Sequence, residues 1–274
     1  MYKTKLVIIA MFTVLLLLIV GCSNSTNNDV NTENISESMK AQTETMIYTL
    51  SSFWDDGLIF LDYGAGYTKP ADTSYYTFDD QTFWWTYVRQ IDLSSDNVDW
   101  MINELDSVRF NTDGVYQRQP DITTYGLEMR IIGDDLMAFN SDSTWGVDYD
   151  VSFDIANADE DTIDIEGNIS YGLEVVMGTF EFEYDFDCSY DDIRILRHPY
   201  DFDNYPTSGT ITITIHFTTT GDPVNDIPAG SWTISMTLTC SPTGYTGSVT
   251  IEGDMYTWNG DWDELSGSQG FVRP

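Results

Sequence analysis

The sequence predicts a mainly β protein, built of long antiparallel strands in a meander that forms a sandwich or a full or half barrel. Three observations predict it: a two-residue apolar/polar period along most of the chain, turn residues between the alternating runs, and an aromatic fraction of 14% within a 42% apolar composition. One N-terminal helix and one short internal helix complete the expected elements.

The alternation is plainest where Val147, Tyr149, Val151, Phe153 and Ile155 interleave with Asp148, Asp150, Ser152 and Asp154. Ile163, Ile165, Ile169, Tyr171, Leu173 and Val175 continue it, followed by Phe180 to Phe186, Ile211 to Phe217, Trp232 to Leu238, and Val249 with Ile251. Hairpin turns are expected at Asp113-Gly114, Gly133-Asp134, Met177-Gly178, Pro242-Thr243-Gly244 and Asn259-Gly260, since Gly and Asn accept the backbone angles tight turns need. Helical spacing of Met39, Met46, Leu50 and Phe53 predicts a helix over 38–54. Val98, Met101, Ile102 and Leu105 after Ser94-Ser95-Asp96 predict the short internal helix, with a strand beginning near Val108. One apolar face per strand requires a cover, which a second layer, closure or the N-terminal helix would each supply.

The N-terminus carries a different signal. Lys3 and Lys5 precede an apolar run from Leu6 to Val20, too short at about 15 residues for a membrane-spanning helix, which needs roughly 20. The run ends at Ile19-Val20-Gly21-Cys22. That tetrapeptide resembles the lipobox of bacterial lipoprotein precursors, and the resemblance covers the first 22 residues alone. It implies a signal peptide over 1–21, cleavage before Cys22, and attachment of diacylglyceryl and palmitate chains to that cysteine. The partner so implied is a lipid bilayer, because two acyl chains hold a protein stably where one does not. Residues 22–38 are Ser-, Asn- and Thr-rich and read as a polar tether. Residues 39–274 are then expected to form a single acidic β-rich domain. Ser23, where an aspartate would mark inner-membrane retention, favours the outer membrane in a diderm cell and the outer leaflet of the cell membrane otherwise. A transmembrane barrel also alternates, but these strands lack clear aromatic girdles and a barrel needs no lipid anchor.

Charge is the unusual feature of the composition. The chain holds 45 acidic and 11 basic residues, and a mature chain without Lys3 and Lys5 holds 9 basic residues, a formal charge of −36. Such a field repels phosphates, so nucleic acid is not an expected partner. An acidic surface suited to salty water accounts for the excess, and so would a bound divalent cation. Calcium takes oxygen ligands of this type. Asp164, Glu166, Glu183 and Asp185, outward on neighbouring strands, are the candidate cation-binding face. Asn157-x-Asp159-x-Asp161 has calcium-loop spacing but lacks the turn glycine and closing glutamate, and reads as a solvated hairpin.

Cys188 and Cys240 remain after Cys22. Each ends an alternating run on its apolar face, and with one strand between them they would lie at one sheet edge, where an exported protein is free to join them in a disulfide. No motif of nucleophilic, zinc-dependent or nucleotide-dependent catalysis occurs, and no catalytic residues are assigned. His216 reads as a surface residue in line with threonines. His198 lies in a basic patch with Arg194 and Arg197, which are expected to pair with aspartates. Trp84-Trp85 near Tyr75 and Tyr76 offer a sugar-stacking platform, with at least one tryptophan expected in the core. The function expected is that of an anchored, non-catalytic binding or structural protein, whose ligand is a protein, a glycan or a lipid. A carrier enclosing an apolar ligand is the alternative, and a glycan-binding module the third.

Overall fold

The computed structural model describes residues 75–94, 98–119, 124–139, 143–157, 162–196, 206–221, 229–251 and 253–262. The lipobox, the tether, the helix expected over 38–54, His198 and Arg197 lie outside them.

The described chain is almost wholly strand: β1 (Tyr75–Phe78), β2 (Trp85–Ser94), β3 (Val98–Thr112), β4 (Val115–Gln117), β5 (Gly126–Phe139), β6 (Ser143–Ala156), β7 (Thr162–Met177), β8 (Phe180–Leu196), β9 (Pro206–Thr219), β10 (Gly230–Ser241), β11 (Gly244–Ile251) and β12 (Asp254–Asp261). They form one antiparallel sheet in the order β1-β2-β3-β5-β6-β7-β8-β9-β10-β11-β12, with β4 folded back on β3 alone. The meander expected from the alternation is therefore present, as an open sheet.

Register explains the division of its faces. One row crosses the sheet through Phe78, Trp85, Val108, Met129, Phe153, Gly167, Tyr190, Ile211, Leu238, Gly247 and Trp258. One residue along, the row reads Thr77, Thr86, Ser107, Arg130, Ser152, Asn168, Ser189, Thr212, Thr237, Ser248 and Thr257. Side chains alternate across a strand, so the first row lies on the core face and the second on the opposite one. The core face is buried around Leu238, 0% exposed, and opens at Trp145 and Met177, each 45% exposed.

Glycines on this face are seats for rings. A Cβ on Gly167 would stand 2.2 Å from the Phe153 ring, one on Gly247 2.2 Å from Trp258, and one on Gly260 2.4 Å from Tyr245. With Gly167 bare, Phe153 of β6 reaches across β7 to Tyr190 of β8 at a centroid distance of 5.5 Å. This corrects two expected turns. Gly133-Asp134 lies inside β5, where the Tyr149 ring covers Gly133, and Asn259-Gly260 lies inside β12. Asp113-Gly114 does turn, with φ of 48° and 77°, and the Gly178 and Pro242-Thr243 turns are present.

The internal helix is also corrected: Val98–Thr112 is one continuous strand. Its apolar residues fall on both faces, with Ile102 buried on the core side and Met101 and Leu105 exposed on the other. Two overlaid strand faces therefore imitate helical spacing. The compensating polar residues Glu104 and Asp106 take core-side positions, in register with Gly133 and Ile131.

A bulge keeps β8 in phase. Ile165 pairs with Ile193 and Gly167 with Tyr190, so three steps on β8 oppose two on β7. Asp192 absorbs the extra residue at φ 52°, and Tyr190 and Ile193 both stay inward. Gly209 of β9, at φ 107°, fits against it, where a Cβ would meet the Asp192 carbonyl oxygen at 2.6 Å.

The disulfide is not formed: Cys188 and Cys240 are buried free thiols. Cys188 is opposite Ile213, and Ile213 is opposite Met236, four residues short of Cys240. Two strand spacings put the cysteines roughly 10 Å apart laterally and four residues about 13 Å apart lengthwise, well beyond the ~7 Å limit of a bridge.

Candidate functional site

The outward column of acids is real, and it divides in two. Asp148, Asp154, Glu166, Glu181, Glu183, Asp185 and Asp187 are all exposed. Several meet another carboxylate directly, as Asp134 does Asp148, Asp154 does Glu166, and Glu174 does Glu183. The four residues of the expected cation face do not converge. Asp164 lies opposite Arg194, whereas Asp185 lies opposite Gly172, eight residues further along β7 and about 26 Å away. Arg194 holds Asp164 through Nε–Oδ1 at 2.6 Å and Nη2–Oδ2 at 3.1 Å, and these bonds keep the Asp164 carboxyl below its ordinary range. Among the described residues no group of three or more His, Cys, Asp or Glu is placed to hold a metal ion.

Partial desolvation against the sheet, then the charges of Glu128 and Glu166, raise the Asp154 carboxyl. His216 stands among hydroxyls as the sequence implies, with Nδ1 3.0 Å from Thr233 Oγ1 and Nε2 3.2 Å from Ser231 Oγ. The tryptophan pair splits. Trp85 packs against the core and donates through Nε1 to the Arg118 carbonyl at 2.5 Å. Trp84 meets the Arg109 guanidinium, 4.7 Å from its ring and 4.0 Å from that of Tyr116. Arg109 also pairs with Glu128, which accepts the Tyr116 hydroxyl at 3.0 Å. The guanidinium thus lies over both rings.

The polar face has a depression of about 390 Å3, lined by Arg130, Asp150, Ser152, Asn168 and Ser170. Two adjacent rows build it: Arg130, Ser152 and Asn168 in one, Asp150 and Ser170 in the other, on β5, β6 and β7. Arg130 Nη2 donates to Asp150 Oδ2 at 3.0 Å, and Ser170 Oγ donates to Asp187 Oδ1 at 2.9 Å. The floor is low because Ser152 and Asn168 are short and directly opposite each other. Among the described residues neither takes a side-chain hydrogen bond, so a hydroxyl and a whole carboxamide are open to a ligand. Of these five only Asp150 and Ser152 stood out in the sequence, as members of an alternating run. Short polar side chains at outward positions of neighbouring strands were the available signal, but only the register brings them together.

No protein-family model matches the chain, and no curated protein and no solved structure matches it.

Proposed function

We propose that the chain is an exported lipoprotein, acylated on Cys22, that displays its polar sheet face as a non-catalytic binding surface. The observation that carries the reading is the join of a lipobox and polar tether to a sheet with one largely buried apolar face and one continuous row of Ser, Thr, Asn and Arg. A tether of about 16 residues gives such a face reach from a bilayer. The net charge of −34 keeps it clear of anionic headgroups and of nucleic acid. In a diderm cell Ser23 directs the protein to the outer membrane.

The test is metabolic labelling of the full-length chain with an alkyne palmitate analogue in a bacterial host. The wild-type chain is expected to take the label and fractionate with membranes, and Cys22→Ser to take none. A mature wild-type protein that is soluble and unlabelled overturns the anchor.

A further inference from the structure

We propose that the depression on the polar face binds a neutral saccharide. The inference rests on reading that face as the binding surface and adds the ligand class.

All five lining side chains end in polar groups and none is aromatic or a branched aliphatic, whereas sites for drug-like or lipid ligands are lined mainly by such side chains. They also supply the planar groups that grip neighbouring hydroxyls two at a time: a guanidinium, a carboxylate and a carboxamide. The 3.0 Å Arg130–Asp150 bond fixes two of these relative to each other, which reduces the ordering cost of binding. Asn168 and Ser152 bring side-chain donors and acceptors not engaged among the described residues. Ile132, in register with Asp150 and 36% exposed, offers an apolar surface next to the lining for the C–H face of a sugar ring that extends beyond it.

Charge selects among sugars. Asp187, bonded to Ser170, and Asp154, two residues from Ser152, add negative charge beside the depression, and Asp150 already neutralises Arg130. Uronic or sulfated sugars are repelled. A cation is not favoured either, because Asp150 is the one carboxylate in the lining.

The experiment is saturation-transfer NMR on the detergent-solubilised full chain, with neutral hexasaccharides of glucose, mannose, galactose, xylose and N-acetylglucosamine, and one of galacturonic acid. At least one neutral sugar is expected to give signal and the acidic one none. Asn168→Ala and Ser152→Val should each weaken binding about tenfold or more, with an unchanged melting midpoint as the check on folding; the milder Ser152→Ala replaces Ser152→Val if that midpoint moves. No signal from any neutral sugar, or a signal that survives both substitutions, overturns the site. Shortening of the sugar during the measurement, seen by mass spectrometry, overturns the non-catalytic reading instead. Binding by Cys22→Ser separates the site from the anchor, since the depression needs no lipid.

Discussion

The Tyr149 hydroxyl donates a 2.5 Å hydrogen bond to Glu104, a residue two strands away, by passing over Gly133. Glu104, Gly133 and Tyr149 share one row across β3, β5 and β6, and the bare glycine opens the path. Glu104 is 4% exposed with Arg89 3.7 Å away, so the tyrosine helps to satisfy a carboxylate that water barely reaches. Removing the hydroxyl in Tyr149→Phe should cost about 1.5 to 3 kcal/mol, the range for a hydrogen bond to a charged group. Gly133→Ala places a Cβ 2.3 Å from the ring and should cost about 1 to 3 kcal/mol through overpacking. Urea unfolding measures both. Because the two act on one contact, the double variant should lose less than the sum of the single losses.

Alkaline pH should unfold this sheet early. Burial pushes the Cys188 thiol up to about 12 and the Cys240 thiol up to about 11. Burial, then the Asp135 and Asp148 charges, pushes the Tyr171 phenol up to about 12, and burial raises Tyr149 and Tyr184 further. Each group holds its proton more tightly folded than unfolded. Its stabilising effect is complete below the ordinary values of 9 for a thiol and 10 for a phenol, and is lost as pH rises toward the folded values. Melting temperature should therefore fall continuously from about pH 9 upward; a flat profile to pH 11 would contradict the burial of these groups.

Free thiols give a third expectation. Cys188 and Cys240 should resist a maleimide in the native protein and react fully in denaturant. A reducing agent should leave the melting temperature unchanged, because no bridge joins the two strands.

Arg109 between Trp84 and Tyr116 predicts an asymmetric response to charge-conserving substitution. Arg109→Lys keeps the charge but loses the flat guanidinium stacked on two rings. It should lower stability by about 1 to 2 kcal/mol. Arg194→Lys at the more exposed Asp164 pair should lower it by less than about 1 kcal/mol. Denaturant midpoints of the two variants compare them directly.

The alternation made the strands legible, together with the meander and the outward position of the acids, since a period of two fixes the face of every residue once a strand exists. It did not show what a glycine inside a strand is for. Gly133 and Gly260 carry the same local signal as a turn, and the rings of Tyr149 and Tyr245 that cover them come from neighbouring strands. Met101, Ile102 and Leu105 misled for a related reason: a strand apolar on both faces and a helix apolar on one have the same spacing. The bridge between Cys188 and Cys240 failed on stagger. Parity placed both on the core face, but their four-residue offset depends on β9, which neither run contains. The depression was illegible on the same ground, being assembled from three strands whose separate sequences show only Ser, Asn, Asp and Arg facing water.

From β6 to β12 every strand lies beside the strand that precedes it in the chain, and before them only the short β4 interrupts that order, so that β5 lies beside β3. Chain closure is therefore local among the described strands, with short sequence separations to close at each step. A polypeptide threaded through a pore from its N-terminus would find, for each described strand after β1, a partner edge already in place. No described strand after β1 would have to wait for a distant one still on the far side.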